Sequence, residues 1–367
     1  MTRLLIIDDS ALMRRLLTEI FSSAGDFEVT AARSGVEALA MLADVAPDVI
    51  TLDINMPGMD GLACLDQIMV MRPCPVVMVS SLTEDGAEET LEAMALGAVD
   101  FIAKPKGAVS LEIDAIADDL VDKVRAASKA RISRTMRLQE RVRARSSGNL
   151  ASRRKRAARA IRDDTAPLPP LSRTDGERGV VLVGCSTGGP PALDKVLGGL
   201  SEDFPWPILV AQHMPASFTG PLARRLDRIS ALTVQEVVGT TTLLPGHAYI
   251  GKGDADLILS RRNGRLVALP APSSKDYFWH PSVDRLVDSA MRVVAPDKLL
   301  GVLMTGMGAD GAAAMTRLKT AGGLTMAEAE SSAVVWGMPG ALVRANGAAI
   351  VRPLDQIADA LAALLPA

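Results

Sequence analysis

Acidic, basic and hydroxyl side chains follow four short apolar segments in the first third of the chain. The segments LLII, VITL, VVMV and VDFIA are followed, in order, by Asp8 and Asp9, by Asp53, by Ser80 and Ser81, and by Lys104. Carboxylates that lie close together repel one another, so either their pKa values rise or a cation lies among them. Oxygen ligands favour Mg²⁺, a carboxylate can accept a phosphoryl group, and a lysine with a hydroxyl can hold phosphoryl oxygens. The pattern therefore predicts a phosphoryl-acceptor site.

A second candidate site begins at GCSTGG, residues 184–189, directly after the apolar segment VVLV. A serine between glycines at a strand-to-helix turn resembles a nucleophile elbow, although the spacing is not G-x-S-x-G. A glycine-rich turn at a helix N-terminus can also bind phosphate. These residues alone leave both interpretations of Ser186 open. A dinucleotide site is excluded because the G-x-G-x-x-G spacing is missing.

Three histidines and one aspartate are the candidate partners of Ser186. His213 follows the apolar segment PILVAQ, so we expect it at the same kind of strand end as Ser186 and interpret it as a general base. His247 follows a turn and is interpreted as structural, whereas His280 could line a substrate cleft or cap a helix. Asp310, in the segment GMGADGA, could orient a histidine for acyl transfer or cap the following helix. The order Ser, His, Asp differs from that of α/β-hydrolases, which argues against an ordinary lipase.

Strand candidates alternate with helical patterns in both halves of the chain. This alternation is typical of a parallel sheet covered by helices on both faces. We therefore predict two doubly wound α/β domains, the second with a mostly parallel sheet and some antiparallel strands. The predicted divisions are a domain at residues 1–121, a Pro-containing linker at 122–178 and a domain at 179–367. The net charge of −3 conceals an acidic first domain, a basic linker and a neutral second domain.

The composition excludes several classes of protein. Aromatic residues make up only 3% of the chain, which argues against stacking platforms for single-stranded nucleic acid. Three scattered cysteines are too few for a disulfide framework or a zinc ribbon. No stretch approaches the roughly 18 consecutive apolar residues of a membrane span, and the N-terminus is not typical of a signal peptide. We therefore expect a cytoplasmic protein that does not insert into membranes.

Residues 1 to about 121 resemble the receiver domain of a two-component response regulator. The resemblance rests on the paired aspartates, LDINMPGMDG, VSS and KP, in this order. It implies a flavodoxin-like fold with a five-stranded parallel sheet, and phosphorylation at Asp53. It implies that Mg²⁺ is held by Asp8, Asp9, Asp53 and the backbone carbonyl of Asn55. The remaining implied roles are a switch hydroxyl, a phosphate-binding lysine and an aromatic switch residue, at Ser80, Lys104 and Phe101.

The segments GCSTGG, QHMP, PGHAYI, HPSVD, GMGADGA and GMPGAL together resemble the catalytic domain of the CheB family of chemotaxis protein-glutamate methylesterases. The resemblance implies hydrolysis of glutamate methyl esters on chemoreceptors, deamidation of receptor glutamines, and no cofactor for the esterase reaction. It implies Ser186 as nucleophile, His213 as general base and acid, and Asp310 as the residue that orients His213. The backbone N–H groups of Thr187 and Met307 are our candidates for the oxyanion hole.

The same resemblance implies partners and a switch. The partners are methyl-accepting chemoreceptors and a chemotaxis histidine kinase that acts as phosphodonor. The unphosphorylated receiver is expected to pack against the esterase and block Ser186. Phosphorylation of Asp53 is expected to rearrange Ser80 and Phe101 and weaken that contact.

Two features depart from the family pattern, and two other functions stay open. Cys185 stands where the family more often has Ala, so its thiol is an alternative nucleophile. The long basic linker could be a solvated tether, contact the acidic receiver or receptor tails, or bind nucleic acid. One alternative function is the same esterase chemistry on a substrate outside chemotaxis. The other is a receiver with a DNA-binding output, against which the neutral, glycine-rich second domain argues, so nucleic acid is not the expected partner.

Overall fold

The structure is a computed structural model that describes residues 1–80, 83–104, 113–130 and 179–365. The sheet of the first domain consists of β1 (Thr2–Ile7), β2 (Phe27–Ala32), β3 (Val49–Asp53), β4 (Val76–Ser80) and β5 (Asp100–Ala103). All five strands are parallel, in the order β2-β1-β3-β4-β5. The central strands β3 and β4 are buried along their whole length because helices cover both faces of the sheet. This is the flavodoxin-like order, as predicted.

The helices of the first domain are α1 (Ala11–Ser23), α2 (Gly35–Val45), α3 (Gly61–Met71), α4 (Glu84–Ala95) and α5 (Ile113–Ser128). The first four each begin at a side chain that accepts a backbone hydrogen bond three residues on, from Ser10, Ser34, Asp60 and Thr83. Helix α5 extends to Ser128, so the predicted end of the domain at residue 121 lies within a helix. The linker from residue 131 to 178 lies outside the described residues.

The second domain contains the strands β6 (Val180–Cys185), β7 (Ile208–Gln212), β8 (Thr233–Val237), β9 (Thr241–Thr242), β10 (His247–Gly251), β11 (Ala255–Arg262), β12 (Arg265–Pro272), β13 (Leu299–Leu303), β14 (Leu324–Glu328) and β15 (Ile350–Arg352). Seven of them form a parallel sheet in the order β15-β14-β13-β6-β7-β10-β8. Strands β11, β12 and β9 form the antiparallel part. Asn263 and Gly264 join β11 to β12, and both have the positive φ that a type I′ hairpin turn requires. The prediction of a mostly parallel sheet is confirmed.

The helices of the second domain are α6 (Gly189–Gly198), α7 (Ala216–Ile229), α8 (Val283–Met291), α9 (Ala312–Thr320), α10 (Met338–Arg344) and α11 (Leu354–Leu364), with a single 3₁₀ turn at Pro296–Lys298. Helices α6, α7 and α11 contribute to one apolar core, and α8, α9 and α10 contribute to another. The parallel sheet lies between the two cores, which is the doubly wound arrangement predicted. None of the described helices has the length and apolar character needed to cross a bilayer.

The two domains pack directly on one another. Helix α4 of the first domain lies against α6 and α7 of the second. The ring of Phe101, in β5, stacks on Phe218, in α7, with ring centroids 4.2 Å apart. At the edge of this contact Arg224 lies 3.2 Å from Glu88 in an exposed ion pair. The interface therefore has an apolar centre and a charged rim.

Candidate active site

The first candidate site lies at the carboxyl ends of β1, β3 and β5. Lys104 Nζ lies 2.7 Å from Asp53 Oδ2 and 3.5 Å from Asp8 Oδ2. Oxygens of Asp8, Asp9 and Asp53 all lie within 4.8 Å of one another. The first and last of these carboxylates are buried, whereas Asp9 is exposed. The structure thus brings together the four charged residues that the strand ends indicated.

This acidic cluster fits a magnesium ion. Asp8 Oδ2 is buried and has no hydrogen-bond partner among the described residues. Burial, opposed by Lys104 and reinforced by the charge of Asp53, raises the pKa of Asp8. A divalent cation would coordinate that oxygen, whose ion-pair contact with Lys104 is a long one at 3.5 Å, and would offset the repulsion between the carboxylates. The backbone N–H of Asn55 donates to Asp53 Oδ1 at 3.2 Å, so Asn55 lies beside the cluster, and the role of its carbonyl stays a prediction.

The two predicted switch residues lie on β4 and β5, the strands that follow β3 in the order of the sheet. Ser80 is buried at the end of β4, where its hydroxyl donates to the Gly86 carbonyl at 3.1 Å. Phe101 is also buried, and its ring packs on Phe218 rather than facing solvent. A rearrangement at Asp53 therefore has a short route to the second domain through β4 and β5.

The second candidate site lies at the carboxyl ends of the adjacent strands β7, β6 and β13. Ser186 follows β6 directly, His213 follows β7 directly, and Asp310 lies in the loop after β13. The Ser186 backbone N–H donates to the Thr305 carbonyl at 3.0 Å. The side-chain amide of Gln212 donates to the Ser186 carbonyl, also at 3.0 Å. These bonds fix the serine turn to both neighbouring strands.

One glycine of the predicted motifs permits this close packing. A Cβ at Gly306 would lie 2.8 Å from the Cβ of Ser186 and 2.3 Å from the sulfur of Met338. A larger residue would therefore displace the serine turn. Gly306, the first glycine of GMGADGA, is therefore required because Ser186 occupies the space that a side chain would need.

His213 and Asp310 form the central pair of the site. His213 Nε2 lies 2.8 Å from Asp310 Oδ2, and both side chains are almost fully buried. The backbone N–H groups of Val283 and Asp284 donate to the same carboxylate at 2.7 Å and 3.0 Å. Burial alone would raise the pKa of Asp310, but the bonds from His213 and from these N–H groups outweigh it and hold the pKa below its usual value. Asp310 is therefore an ionised acceptor that can orient His213.

Asp310 also caps a helix, although not the helix that follows it in the chain. Its carboxylate accepts hydrogen bonds from the N-terminal N–H groups of α8. The residue that precedes α9 is Gly311, which has no side chain to cap that helix. Asp284, in the first turn of α8, in return accepts a hydrogen bond from the Ala314 N–H of α9 at 2.8 Å. The two carboxylates thus bind α8 and α9 together. Of the two predicted alternatives for Asp310, capping of the following helix is wrong, because Asp310 accepts hydrogen bonds from the N-terminus of α8 instead, and orientation of a histidine stays a prediction.

The pairing through Nε2 determines which nitrogen of His213 can act as the base. Nε2 carries the proton that it donates to Asp310, so the lone pair lies on Nδ1. Nδ1 is buried and, within the described parts of the chain, makes no hydrogen bond. A buried nitrogen with a free lone pair is suited to accept a proton from a serine hydroxyl.

A buried network behind Ser186 was not predicted from the sequence. The Thr305 hydroxyl donates to the Thr187 carbonyl at 2.8 Å, and the Thr305 N–H donates to Glu328 Oε2 at 2.8 Å. Glu328 is fully buried at the end of β14, where it also accepts a hydrogen bond from the Ser332 hydroxyl. Burial raises the pKa of Glu328. The one sequence signal for this network is Glu328 itself, an acidic residue at the end of β14, the strand that pairs with β13.

The oxyanion-hole candidates lie on the two loops that flank Ser186. Thr187 is the next residue along the turn after β6, and Met307 lies in the loop after β13. Within the described residues, neither backbone N–H donates to another backbone carbonyl. Both N–H groups are therefore candidates for an anionic oxygen, and this assignment stays a prediction.

The thiol of Cys185 is unsuited to act as the nucleophile. Its side chain is fully buried, burial raises the pKa of the thiol, and it donates to Gln212 Oε1 at 3.1 Å. Because the thiolate is the reactive form, the structure argues against this alternative. His247 has a structural environment, since its Nδ1 lies 2.8 Å from the Pro245 carbonyl oxygen.

His280 neither caps α8 nor lies against His213. Its Nδ1 lies 3.0 Å from the buried carboxylate of Asp256, whereas the side chains that accept hydrogen bonds from the N-terminus of α8 are those of Ser282 and Asp310. The residue that lies against His213 is Trp279, whose ring stacks on the imidazole with centroids 5.2 Å apart and planes 11° apart. The segment HPSVD thus contributes to the site through the backbone N–H groups of Val283 and Asp284, which donate to Asp310, and Trp279 directly precedes it.

The first domain reaches the residue next to Ser186. The hydroxyl of Thr187 donates a hydrogen bond to the buried carboxylate of Asp100, in β5. Between α5 and the segment 330–337 lies a cavity of about 400 Å³ whose wall includes Met307. The first domain therefore borders both loops that carry the oxyanion-hole candidates.

The comparisons with known proteins cover both domains. Residues 181–361 match the family described as CheB methylesterase, and residues 4–114 match the response regulator receiver domain. The chain is 56% identical to protein-glutamate methylesterase/protein-glutamine glutaminase 3 of Rhodospirillum rubrum, across 98% of this chain and 95% of that protein. It is 55% identical to a protein of the same name, numbered 2, from Rhodopseudomonas palustris, across 98% and 97%. The CheB methylesterase catalytic domain of Thermotoga maritima aligns with a TM-score of 0.50 and 38% identity, across 52% of this chain and 100% of that domain.

Proposed function

The chain belongs to the CheB family of receiver-linked protein-glutamate methylesterases/protein-glutamine glutaminases, and we propose that Ser186, His213 and Asp310 carry out its reaction. The protein is a phosphorylation-regulated hydrolase of glutamate methyl esters on chemoreceptors, and it also deamidates glutamine. The observation that carries the assignment of residues is the 2.8 Å contact between His213 Nε2 and Asp310 Oδ2 beside the serine turn.

In the first half of the proposed reaction, Ser186 Oγ attacks the ester carbonyl carbon while its proton moves to His213 Nδ1. The carbonyl oxygen becomes an oxyanion, which the N–H groups of Thr187 and Met307 stabilise. Asp310 stabilises the imidazolium through the bond to Nε2. The tetrahedral species then collapses, the C–O bond to the methoxy group breaks, and His213 returns its proton to that oxygen. Methanol leaves and an acyl-serine remains.

In the second half, water takes the place of methanol. His213 Nδ1 accepts a proton from the water as its oxygen attacks the acyl carbon, and the same oxyanion forms again. Collapse breaks the bond to Ser186 Oγ, which takes the proton back from His213. The products are a glutamate side chain and the regenerated serine. With a glutamine side chain, the first leaving group is ammonia instead of methanol, and the second half is identical.

Phosphorylation is proposed to occur on Asp53. A carboxylate oxygen attacks the phosphorus of a phosphohistidine on a chemotaxis kinase, the P–N bond breaks, and the leaving imidazole takes up a proton. Mg²⁺ bound by Asp8, Asp9, Asp53 and the Asn55 carbonyl would offset the negative charge that accumulates there. Lys104, 2.7 Å from Asp53, is placed to bind the phosphoryl oxygens.

Regulation is proposed to act through the contact between the domains. The contacts of Phe101 with Phe218 and of Asp100 with Thr187 belong to a packed form in which the receiver borders the serine turn. Phosphorylation of Asp53 shifts the population towards a form in which β5 no longer holds Thr187. A tenfold rise in activity requires only about 1.4 kcal/mol of differential stabilisation.

The domain division at residues 1–121, 122–178 and 179–367 is part of the same proposal. The two family matches support a receiver followed by a catalytic domain. The basic linker keeps its three interpretations: a tether, a contact with acidic segments of the receiver or the receptors, or an electrostatic contact with nucleic acid.

The test is methanol release from membranes that contain methylated chemoreceptors, with and without Mg²⁺ and a small-molecule phosphodonor. We expect release that rises with the phosphodonor and disappears in the Ser186→Ala variant. No release from the unmodified protein under either condition would contradict a chemoreceptor substrate and favour the same chemistry on another ester. Release that persists in Ser186→Ala would contradict the assignment of the nucleophile.

A further inference from the structure

A pair of aromatic side chains leads from the catalytic histidine to the protein surface. The ring of Phe278 packs edge-to-face on Trp279, with centroids 4.9 Å apart, and Trp279 stacks on His213. The outer member, Phe278, is 83% exposed. We call Phe278 and Trp279 the aromatic pair.

An exposed phenylalanine beside an active site indicates a contact with a partner. Exposed apolar side chains are ordinary when they are scattered, but Phe278 continues a stacked series that begins at His213, so it lies beside the candidate active site. Aromatic residues are enriched among the residues that contribute most to binding. The exposure of Phe278 leaves most of the area of its ring available to be buried by a substrate protein.

We propose that the aromatic pair is the surface on which the enzyme binds the receptor helix that carries the methylated glutamate. This inference rests on the proposed function and adds the part of the enzyme that recognises the protein around the ester. Phe278 packs on an apolar side chain of that helix, and Trp279 covers the ring of His213 next to the ester.

The distances suit an α-helical substrate. Residues three and four positions apart lie on the same face of a helix, and one turn advances about 5.4 Å. The ring-to-ring steps of 5.2 Å and 4.9 Å are each no longer than one turn, so the ring of Phe278 lies no more than about two turns from that of His213. An apolar side chain within two turns of the modified glutamate would therefore be in range of Phe278 while the ester lies beside His213.

The aromatic pair lies outside the contact between the two domains. The aromatic rings that contact the pair belong to the catalytic domain, and Phe278 is 83% exposed with the receiver packed in place. Phe278 is therefore accessible while the receiver is packed on the catalytic domain. Receptor binding through this surface is consequently independent of phosphorylation, whereas access to the Ser186 turn is not.

The experiment compares Phe278→Ala with the unmodified full-length protein and with Val238→Ala, a control at a residue that is 69% exposed and lies after β8. Initial rates of methanol release are measured against the concentration of methylated receptor membranes, with and without phosphodonor. The rate of covalent labelling of Ser186 by a small fluorophosphonate reports on the catalytic residues without a receptor.

We expect Phe278→Ala to raise KM about tenfold, with little change in kcat, in labelling rate or in the fold-stimulation by the phosphodonor. Phe278→Trp is expected to restore KM because it replaces the apolar area. Val238→Ala is expected to behave as the unmodified protein.

An unchanged KM in Phe278→Ala, with normal release by the unmodified protein, would overturn this inference and leave the proposed function intact. A fall in labelling rate that matches the loss of receptor activity would also overturn it, because Phe278 would then act by holding Trp279 and His213. The same rise in KM in Val238→Ala would overturn it as well. If the proposed function itself is wrong, the result differs from all of these, because the unmodified protein then releases no methanol.

Discussion

The hydroxyl of Thr187, the residue that follows the proposed nucleophile, donates a hydrogen bond to the carboxylate of Asp100 in the receiver. Both residues are buried, and Asp100 directly precedes Phe101, whose ring stacks on the catalytic domain. The strand that carries Phe101, the predicted aromatic switch residue, is therefore bonded to the turn that carries Ser186. This bond joins the receiver directly to the catalytic domain.

Replacement of Asp100 is expected to weaken the packed form. A hydrogen bond to a charged group contributes about 1.5–3 kcal/mol, so Asp100→Ala should raise methanol release without phosphodonor by roughly tenfold and reduce the further stimulation. Glu88→Ala is the control, because its exposed ion pair with Arg224 lies on the same interface and contributes little. Equal basal rates in Asp100→Ala and the unmodified protein would contradict this role.

Replacement of the phosphoacceptor is expected to separate basal from stimulated activity. Asp53→Ala should keep the basal rate, since Asp53 lies in the receiver sheet and the proposed catalytic residues all lie in the second domain, and it should lose the response to a small-molecule phosphodonor. Asp60→Ala is the control, because Asp60 caps α3 on the loop after Asp53. Methanol release and incorporation of labelled phosphoryl groups are measured together. A full response in Asp53→Ala would show that the phosphoacceptor lies elsewhere.

Replacement of Asp310 is expected to lower kcat, because Asp310 determines which ring nitrogen of His213 carries the proton. In Asp310→Asn the amide N–H can point at Nε2, which forces the ring proton onto Nδ1 and removes the base. We expect kcat to fall by about 10³–10⁴-fold, as measured by methanol release at saturating receptor. Asp284→Asn is the matched control, since the Asp284 carboxylate accepts a hydrogen bond from the Ala314 N–H of α9, whereas the carboxylate bonded to His213 is that of Asp310. Retention of more than about a tenth of kcat in Asp310→Asn would be inconsistent with this mechanism.

Glu328 is expected to make stability depend on pH. Burial raises its pKa above the ordinary 4.5, so the folded chain binds this proton more tightly than the unfolded chain does. The resulting stability is fully present below pH 4.5 and is lost as the pH rises through the folded pKa. Glu328→Gln, which buries no charge, should therefore melt a few degrees higher than the unmodified protein at pH 8 and gain less at pH 4.5.

Thermal unfolding followed by circular dichroism across this pH range measures the difference. Glu202→Gln, at an exposed position, is the control and should show no such trend. A difference in Tm between Glu328→Gln and the unmodified protein that stays constant with pH would exclude an ionised Glu328 as the cause.

The sequence by itself determined the strands and therefore the two edges at which chemistry is possible. Runs of buried Val, Ile and Leu define parallel strands, and the residues that follow such strands must meet at one edge of the sheet. Asp8, Asp53 and Lys104 were found in this way, as were Ser186 and His213. For all of them, position along the chain is enough to give position in space.

Only the tertiary structure decided the contacts of residues that do not directly follow neighbouring strands of one sheet. Asp310 caps α8 rather than α9 because the two helices pack side by side, and Trp279 rather than His280 reaches His213 because of the path of the loop before α8. The bonds from Thr305 to Glu328 and from Thr187 to Asp100 depend on which strands are neighbours and on how two domains dock. Such contacts are set by the packing of whole surfaces, and no local spacing in the chain encodes them.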